Sequence, residues 1–196
     1  MRASLRSAAV LSLLGLLVAG PLAVGASPAA AQPARGASGE LEVLLDALKA
    51  APTDTAAAVL SMRIRQLWME QGGPAAGLLM ARGLRNLQSN AADEALADFD
   101  AVVTLSPGMA EAYNRRAIAR FDLGDYAGAL ADLREALTRD PRHFSAFETL
   151  SRIAEAREDW KGALAAWEKL LEIDPHAANG QERLKHLRKK ALGEES

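Results

Sequence analysis

The sequence predicts an all-α solenoid of antiparallel helix pairs, and three observations carry that prediction. Ala95, Ala129 and Ala163 recur at intervals of 34 residues, and Pro107, Pro141 and Pro175 recur at the same interval. A large apolar or aromatic residue keeps step with them as Leu79, Tyr113 and Phe147. Units of this length each form one helical hairpin, which hides its apolar face only by stacking on its neighbours. Such a chain presents a surface for binding and not a reaction centre.

The N-terminus comes first in chain order. Arg2 and Arg6 precede an uncharged run, Ser7 to Ala34, rich in Leu, Val and Ala, and Ala29-Ala30-Ala31 supplies a small-residue cleavage pattern. This predicts a signal peptide, residues 1–31, removed after Ala31. The alternative is an uncleaved membrane anchor, since the run is long enough to span a bilayer; Gly20, Pro21 and Gly25 interrupt it and favour cleavage. The chain contains no cysteine, which excludes a lipid-modified lipoprotein and a disulfide framework. The expected location is a bacterial periplasm or the extracellular space. Residues 32–39 read as a mobile Pro/Ala/Gly/Ser linker. Without Arg2 and Arg6, 21 basic residues face 25 acidic ones, a net charge of −4 that disfavours nucleic-acid binding.

Residues 40–75 fall outside the repeat register. Leu41, Leu44, Leu45 and Leu48, and then Leu60, Ile64, Leu67 and Trp68, have helical spacing, so two amphipathic helices are expected. Pro52-Thr53-Asp54 separates them, with Thr53 or Asp54 as N-cap, and Gly72-Gly73-Pro74 ends the second. This hairpin reads as a degenerate cap on the solenoid, or alternatively as a dimerisation or docking element.

Three units follow over 76–177, divided as 76–109, 110–143 and 144–177. Each has a central turn: Ser89-Asn90-Ala91-Ala92, then Leu123-Gly124-Asp125-Tyr126, then Arg157-Glu158-Asp159-Trp160. Asn and Gly tolerate the left-handed backbone that ends a helix, whereas Glu158 weakens the third turn. After the turn, Phe99, Leu133 and Trp167 and then Val102, Ala136 and Leu170 continue one helical face. Ser106-Pro107, Asp140-Pro141 and Asp174-Pro175 close the units, because proline cannot extend the hydrogen-bond ladder. Asn179 and Glu182 suggest a capping box for a last helix over 178–193. Its late cations, Lys185, Arg188, Lys189 and Lys190, suit a solvated helix C-terminus, with binding to an anionic surface as the alternative.

Over residues 76–177 the chain resembles tetratricopeptide repeat proteins, with spacing, small-residue sites, turn aromatics and closing prolines in register. The resemblance implies a right-handed superhelix whose first helices line a concave groove for a protein or peptide. The groove residues it implies are Met80, Leu84 and Leu87, then Asn114, Ile118 and Phe121, then Glu148, Arg152 and Glu155, which grow more polar along the series. The alternative is that the apolar members pack against neighbouring helices or against the N-terminal hairpin. The family's two-carboxylate clamp is not supported, because the matching places hold Met80, Leu84, Arg115, Ser145 and Thr149.

Arg82 and Arg116 occupy a first-helix position where many such repeats carry Leu, and sixteen residues later stand Asp98 and Asp132; the third unit has Leu150 and Ala166 there. Charge present in both members or in neither predicts ion pairs Arg82–Asp98 and Arg116–Asp132 across the hairpins. Catalytic signatures are missing: no G-x-S-x-G, phosphate loop or nucleophilic Cys occurs, and His143, His176 and His186 lack metal-ligand spacing. His143 and His176 follow the closing prolines, where exposure is expected, and Asp93, Asp98, Asp100, Asp132 and Asp140 are expected on helix surfaces and turns. The reading is a non-enzymatic adaptor of the cell envelope with no cofactor, no metal and no nucleic acid. It would not insert in a membrane once the signal is cleaved. Its partner is a protein or peptide, and the alternative is self-association through the N-terminal hairpin or the repeat ends.

Overall fold

The computed structural model describes residues 35–193, and side chains from Gly39 onward. The expected signal peptide and its cleavage point lie outside the described residues. Among those described there are nine helices: α1 (Arg35–Lys49), α2 (Asp54–Glu70), α3 (Gly73–Gln88), α4 (Ala92–Leu105), α5 (Ala110–Asp122), α6 (Tyr126–Arg139), α7 (Phe144–Ala156), α8 (Trp160–Ile173) and α9 (Gly180–Leu192). None is long and apolar enough to cross a membrane. Helix α1 starts at Arg35, inside the segment 32–39 expected as linker.

The three units fold as the hairpins α3–α4, α5–α6 and α7–α8. Each central turn carries one residue with positive φ: Asn90 at 58°, Gly124 at 80° and Glu158 at 59°. Glu158 has a β-carbon in that region, which costs about 1–2 kcal/mol. The second and third turns recover some of this through capping, since Asp125 accepts the Gly128 N–H and Asp159 the Gly162 N–H, each at 2.9 Å.

Inside each hairpin two columns of small residues meet. Ala95, Ala129 and Ala163 are fully buried, and so are Gly83, Ala117 and Ser151 on the opposing helix. A β-carbon at Gly83 would lie 2.6 Å from the Phe99 ring, so α3 and α4 approach too closely there for any side chain. Ser151 meets the same constraint with a hydroxyl that donates to the Ala163 carbonyl at 3.1 Å. This second column keeps the 34-residue period and was readable in the sequence, but changing residue type hid it.

Helices α3, α5 and α7 abut one another, whereas α4, α6 and α8 touch only helices of the other layer and those at the chain ends. The first-helix layer therefore lies on the inner side of the curve. The N-terminal hairpin does not extend the stack beyond the first repeat, as a cap would. It folds back over the exits of the repeats. Thr53 caps α2 by accepting the Ala56 N–H at 3.2 Å. From there α2 runs from Asp54, paired with His176 in the closing turn of the third repeat, to Glu70, just before Gly72, whose carbonyl accepts from Ser106 in the closing turn of the first. A helix of 17 residues spans about 25 Å, enough to cross all three exits. Its return is permitted by Gly73, at φ 75° where α3 begins.

Helix α9 closes the other end, with Leu187 buried and the Trp167 indole N–H donating to the Gly180 carbonyl at 2.9 Å. The expected capping box is absent: Asn179 adopts a left-handed conformation and its side chain caps nothing. Among the late cations, Arg188 pairs with Glu168 at 3.0 Å and Lys190 lies over the Trp160 ring.

Candidate functional site

The residues expected to line the groove divide into two sets. Met80 is fully buried in the core of the first hairpin, and Asn114 is buried within a hydrogen-bonded group, donating to Glu111 at 3.0 Å and accepting from Thr149 at 2.9 Å. Glu148 faces Arg65 of α2 at 3.8 Å. These three belong to the N-terminal halves of α3, α5 and α7; Met80 and Asn114 offer no free surface, and Glu148 keeps part of its side chain exposed beside Arg65. Leu84, Leu87, Ile118, Phe121 and Glu155 are half-buried and Arg152 is exposed. Leu84 and Leu87 rest on the first core, Phe121 rests on the second, and Arg152 sits over the Phe121 ring at 5.9 Å. Glu155 is held by Arg183 of α9.

What occupies the N-terminal halves is the hairpin, and its anchor is Trp68. The indole stacks on His143 at 3.8 Å and 14°, meets Phe144 at 4.8 Å, and donates to Asp140 Oδ2 at 2.8 Å. Arg65 donates to Ser145 Oγ at 3.0 Å and lies over the Phe144 ring. Arg142 reaches Glu42 and Asp46 of α1. Leu45, Leu48, Ile64 and Trp68 share one core with Phe144, Trp167 and Leu170 of the third hairpin.

His143, expected to be exposed, is fully buried beneath that indole, because Trp68 covers the turn that carries it. Its Nδ1 accepts the Ala146 N–H at 3.2 Å and so caps α7, while Nε2 lies 3.1 Å from Glu111 Oε2, off the line of a well-formed hydrogen bond. Burial alone would raise the Glu111 carboxyl; Arg115, His143 and Asn114 outweigh it and bring the pKa down to about 2. His176, also expected to be exposed, is half-buried, and its pairing with Asp54 Oδ1 at 2.6 Å raises its pKa.

The two cross-hairpin pairs have the following geometry. Arg82 Nε donates to Asp98 Oδ1 at 2.8 Å, and Arg116 donates from Nε and Nη2 to the two oxygens of Asp132. Asp98 and Asp132 are buried, not surface groups. Both pairs are structural: they join the helices of one hairpin and leave no donor or acceptor aimed at a substrate. Among the described residues, no three His, Asp or Glu side chains converge as a metal site.

The model of the tetratricopeptide repeat matches residues 110–143, the whole of the second unit. With α3–α4 and α7–α8 repeating that hairpin on either side, the family follows. This is a tetratricopeptide repeat protein. A TPR repeat-containing protein of Rhizobium etli is 29% identical over 153 residues, covering 78% of this chain and 75% of the relative. Among solved structures, the TPR domain of Sgt2 from Aspergillus fumigatus superposes with a TM-score of 0.58 at 22% identity, over 62% of this chain and 82% of that one. The first TPR domain of Spaghetti, bound to an HSP90 peptide, superposes with a TM-score of 0.55 at 22% identity, over 60% of this chain and 93% of that one. At that identity the likeness concerns the fold. In the present tetratricopeptide protein the inner layer of repeats is shared between an internal occupant, α2, and a remaining face of Leu84, Leu87, Ile118, Phe121 and Arg152.

Proposed function

We propose that the chain is a non-enzymatic protein-interaction scaffold of the bacterial cell envelope, holding a partner polypeptide on the inner face of α3, α5 and α7. The observation that supports this most is the remaining face itself. Leu84, Leu87, Ile118 and Phe121 stay half-buried beside exposed Arg152, and no described hydrogen bond or ion pair ties Ile118, Phe121 or Arg152 to the hairpin. A strip of apolar side chains with one cation at its end suits a segment carrying apolar residues followed by an acidic one. The repeats of Spaghetti hold a peptide in the same fold. Export follows from Arg2, Arg6 and the uncharged run after them. The test replaces Leu84, Ile118 and Arg152 together with Ser, Ser and Ala, and compares crosslinked partners recovered from intact cells. Loss of the main partner is expected; unchanged recovery would count against this face. N-terminal sequencing of the mature protein checks removal of residues 1–31.

A second reading, self-association through a repeat end, is favoured by α9. Leu192 is 69% exposed there and lies with Leu184 along a shallow groove where a further repeat would stack. Light scattering across a concentration series separates the two, since a constant monomer mass removes self-association.

A further inference from the structure

A cavity of about 610 Å³ opens beside the third repeat, between α2, the first turn of α7, the end of α8 and the loop into α9. It lies one repeat beyond the seat of Trp68, and the two places correspond. Asp140 and Asp174 are equivalent residues of the closing turns. Asp140 Oδ1 accepts the N–H of Arg142 two residues on, and Asp174 Oδ1 accepts the N–H of His176 in the same way. The second oxygen of Asp140 accepts the Trp68 indole N–H. The second oxygen of Asp174 has no hydrogen bond from any described residue, and Asp174 lines the cavity while only 6% exposed.

The charges around the cavity do not cancel. Glu148 faces Arg65 and Asp54 faces His176, which leaves Asp174 and Glu182 without an ion-pair partner among the described residues. Burial raises the Asp174 pKa; the hydrogen bond from the His176 N–H, and the charges of Arg65 and His176, offset this only in part. A desolvated carboxylate with a free acceptor oxygen is stabilised most by a cationic donor. Phe144, Trp167 and Leu170 supply apolar wall for the aliphatic stem of such a group.

We propose that this cavity takes a basic side chain, lysine or arginine, of a partner polypeptide, with Asp174 as its anchor and Glu182 at its rim. The inference rests on the scaffold reading but concerns a different surface from Leu84, Ile118 and Arg152, so the two fail separately. A neutral donor such as an indole would satisfy Asp174 Oδ2 and leave the two negative charges uncompensated. That separates the cavity from the Trp68 seat, where the partner of Asp140 is neutral.

The test titrates the full chain with the blocked tripeptides acetyl-Gly-Arg-Gly-amide, acetyl-Gly-Lys-Gly-amide, and their citrulline and tryptophan counterparts. The readout is the amide resonances of Gln181 and Glu182 and the Trp167 indole resonance. Saturable shifts are expected with arginine or lysine, and binding at least about tenfold weaker with citrulline and tryptophan. Asp174→Asn should weaken the basic peptides about tenfold, and Glu182→Gln, at an exposed position that leaves the fold intact, about threefold. The Leu84, Ile118, Arg152 triple variant should bind them as the unaltered chain does. Equal binding of citrulline, indifference to both carboxylate substitutions, or no shift up to about 10 mM of either basic peptide overturns the proposal.

Discussion

Arg116 grips both carboxylate oxygens of Asp132 across the α5–α6 hairpin, at 2.9 Å from Nε and 2.6 Å from Nη2. The Asp132 side chain is 3% exposed and Arg116 is 15% exposed. Arg116 also reaches Asp100 of the preceding repeat at 2.8 Å, and Arg120 reaches Asp132 at 2.9 Å. The pair therefore joins two helices and two repeats. Its counterpart in the first repeat is looser, because Arg82 is 60% exposed.

Removing Arg116 leaves the buried Asp132 carboxylate with Arg120 as its remaining ion-pair partner among the described residues. Arg116→Ala is expected to lower unfolding free energy in urea titrations by up to about 3 kcal/mol, the low end of the cost of breaking a buried pair. Arg82→Ala should cost distinctly less, since water screens that guanidinium. The double variant Arg116→Leu with Asp132→Ala copies the third repeat, and should regain much of the loss. A double-mutant cycle without coupling between Arg116 and Asp132 would refute the role assigned to the pair.

Trp68 holds the hairpin to the repeats. Trp68→Ala removes a fully buried indole and should cost about 3–5 kcal/mol, with faster proteolysis in the loop before α2 as the local sign of release. Trp68→Phe keeps the stacking surface and loses the bond to Asp140, so a cost nearer 0.5–1.5 kcal/mol is expected, aside from any packing change. If both variants melt like the parent, the hairpin is not anchored there.

The Asp54–His176 pair has a definite pH signature. The His176 pKa is raised in the folded state by its bond to Asp54. Its stabilisation is complete below the unfolded histidine value of about 6.5, and is lost as pH rises through the higher folded value. A proton NMR titration of the His176 ring should show the raised pKa, and Asp54→Asn should return it toward the ordinary range. Persistence of the shift in Asp54→Asn would assign it to another cause.

Glu111 behaves with the opposite sign. Its folded pKa of about 2 lies below the ordinary carboxylate range, so its contribution is present at neutral pH and disappears as pH falls toward 2. Glu111→Gln should reduce the slope of stability against pH by up to about one proton between roughly pH 4 and 2. Denaturant titrations at stepped pH measure this directly, and an unchanged slope would contradict the buried Glu111–Arg115–His143 arrangement.

The sequence by itself determined the helix–turn–helix form of each 34-residue unit. The turns at Asn90, Gly124 and Glu158 and the Arg/Asp partners sixteen residues apart were legible, because helical period and hairpin geometry bring those residues together locally. The tertiary structure decided where the hairpin of α1 and α2 goes. Trp68 meets His143 and Asp54 meets His176 across chain separations that no period marks, and the return depends on the backbone turn at Gly73. From that one fold-back follow the burial of His143, the covering of the groove's N-terminal half, and the cavity that leaves Asp174 open on one side. Contacts between distant segments depend on complementary shape and charge on two surfaces, and only the assembled chain brings those surfaces together.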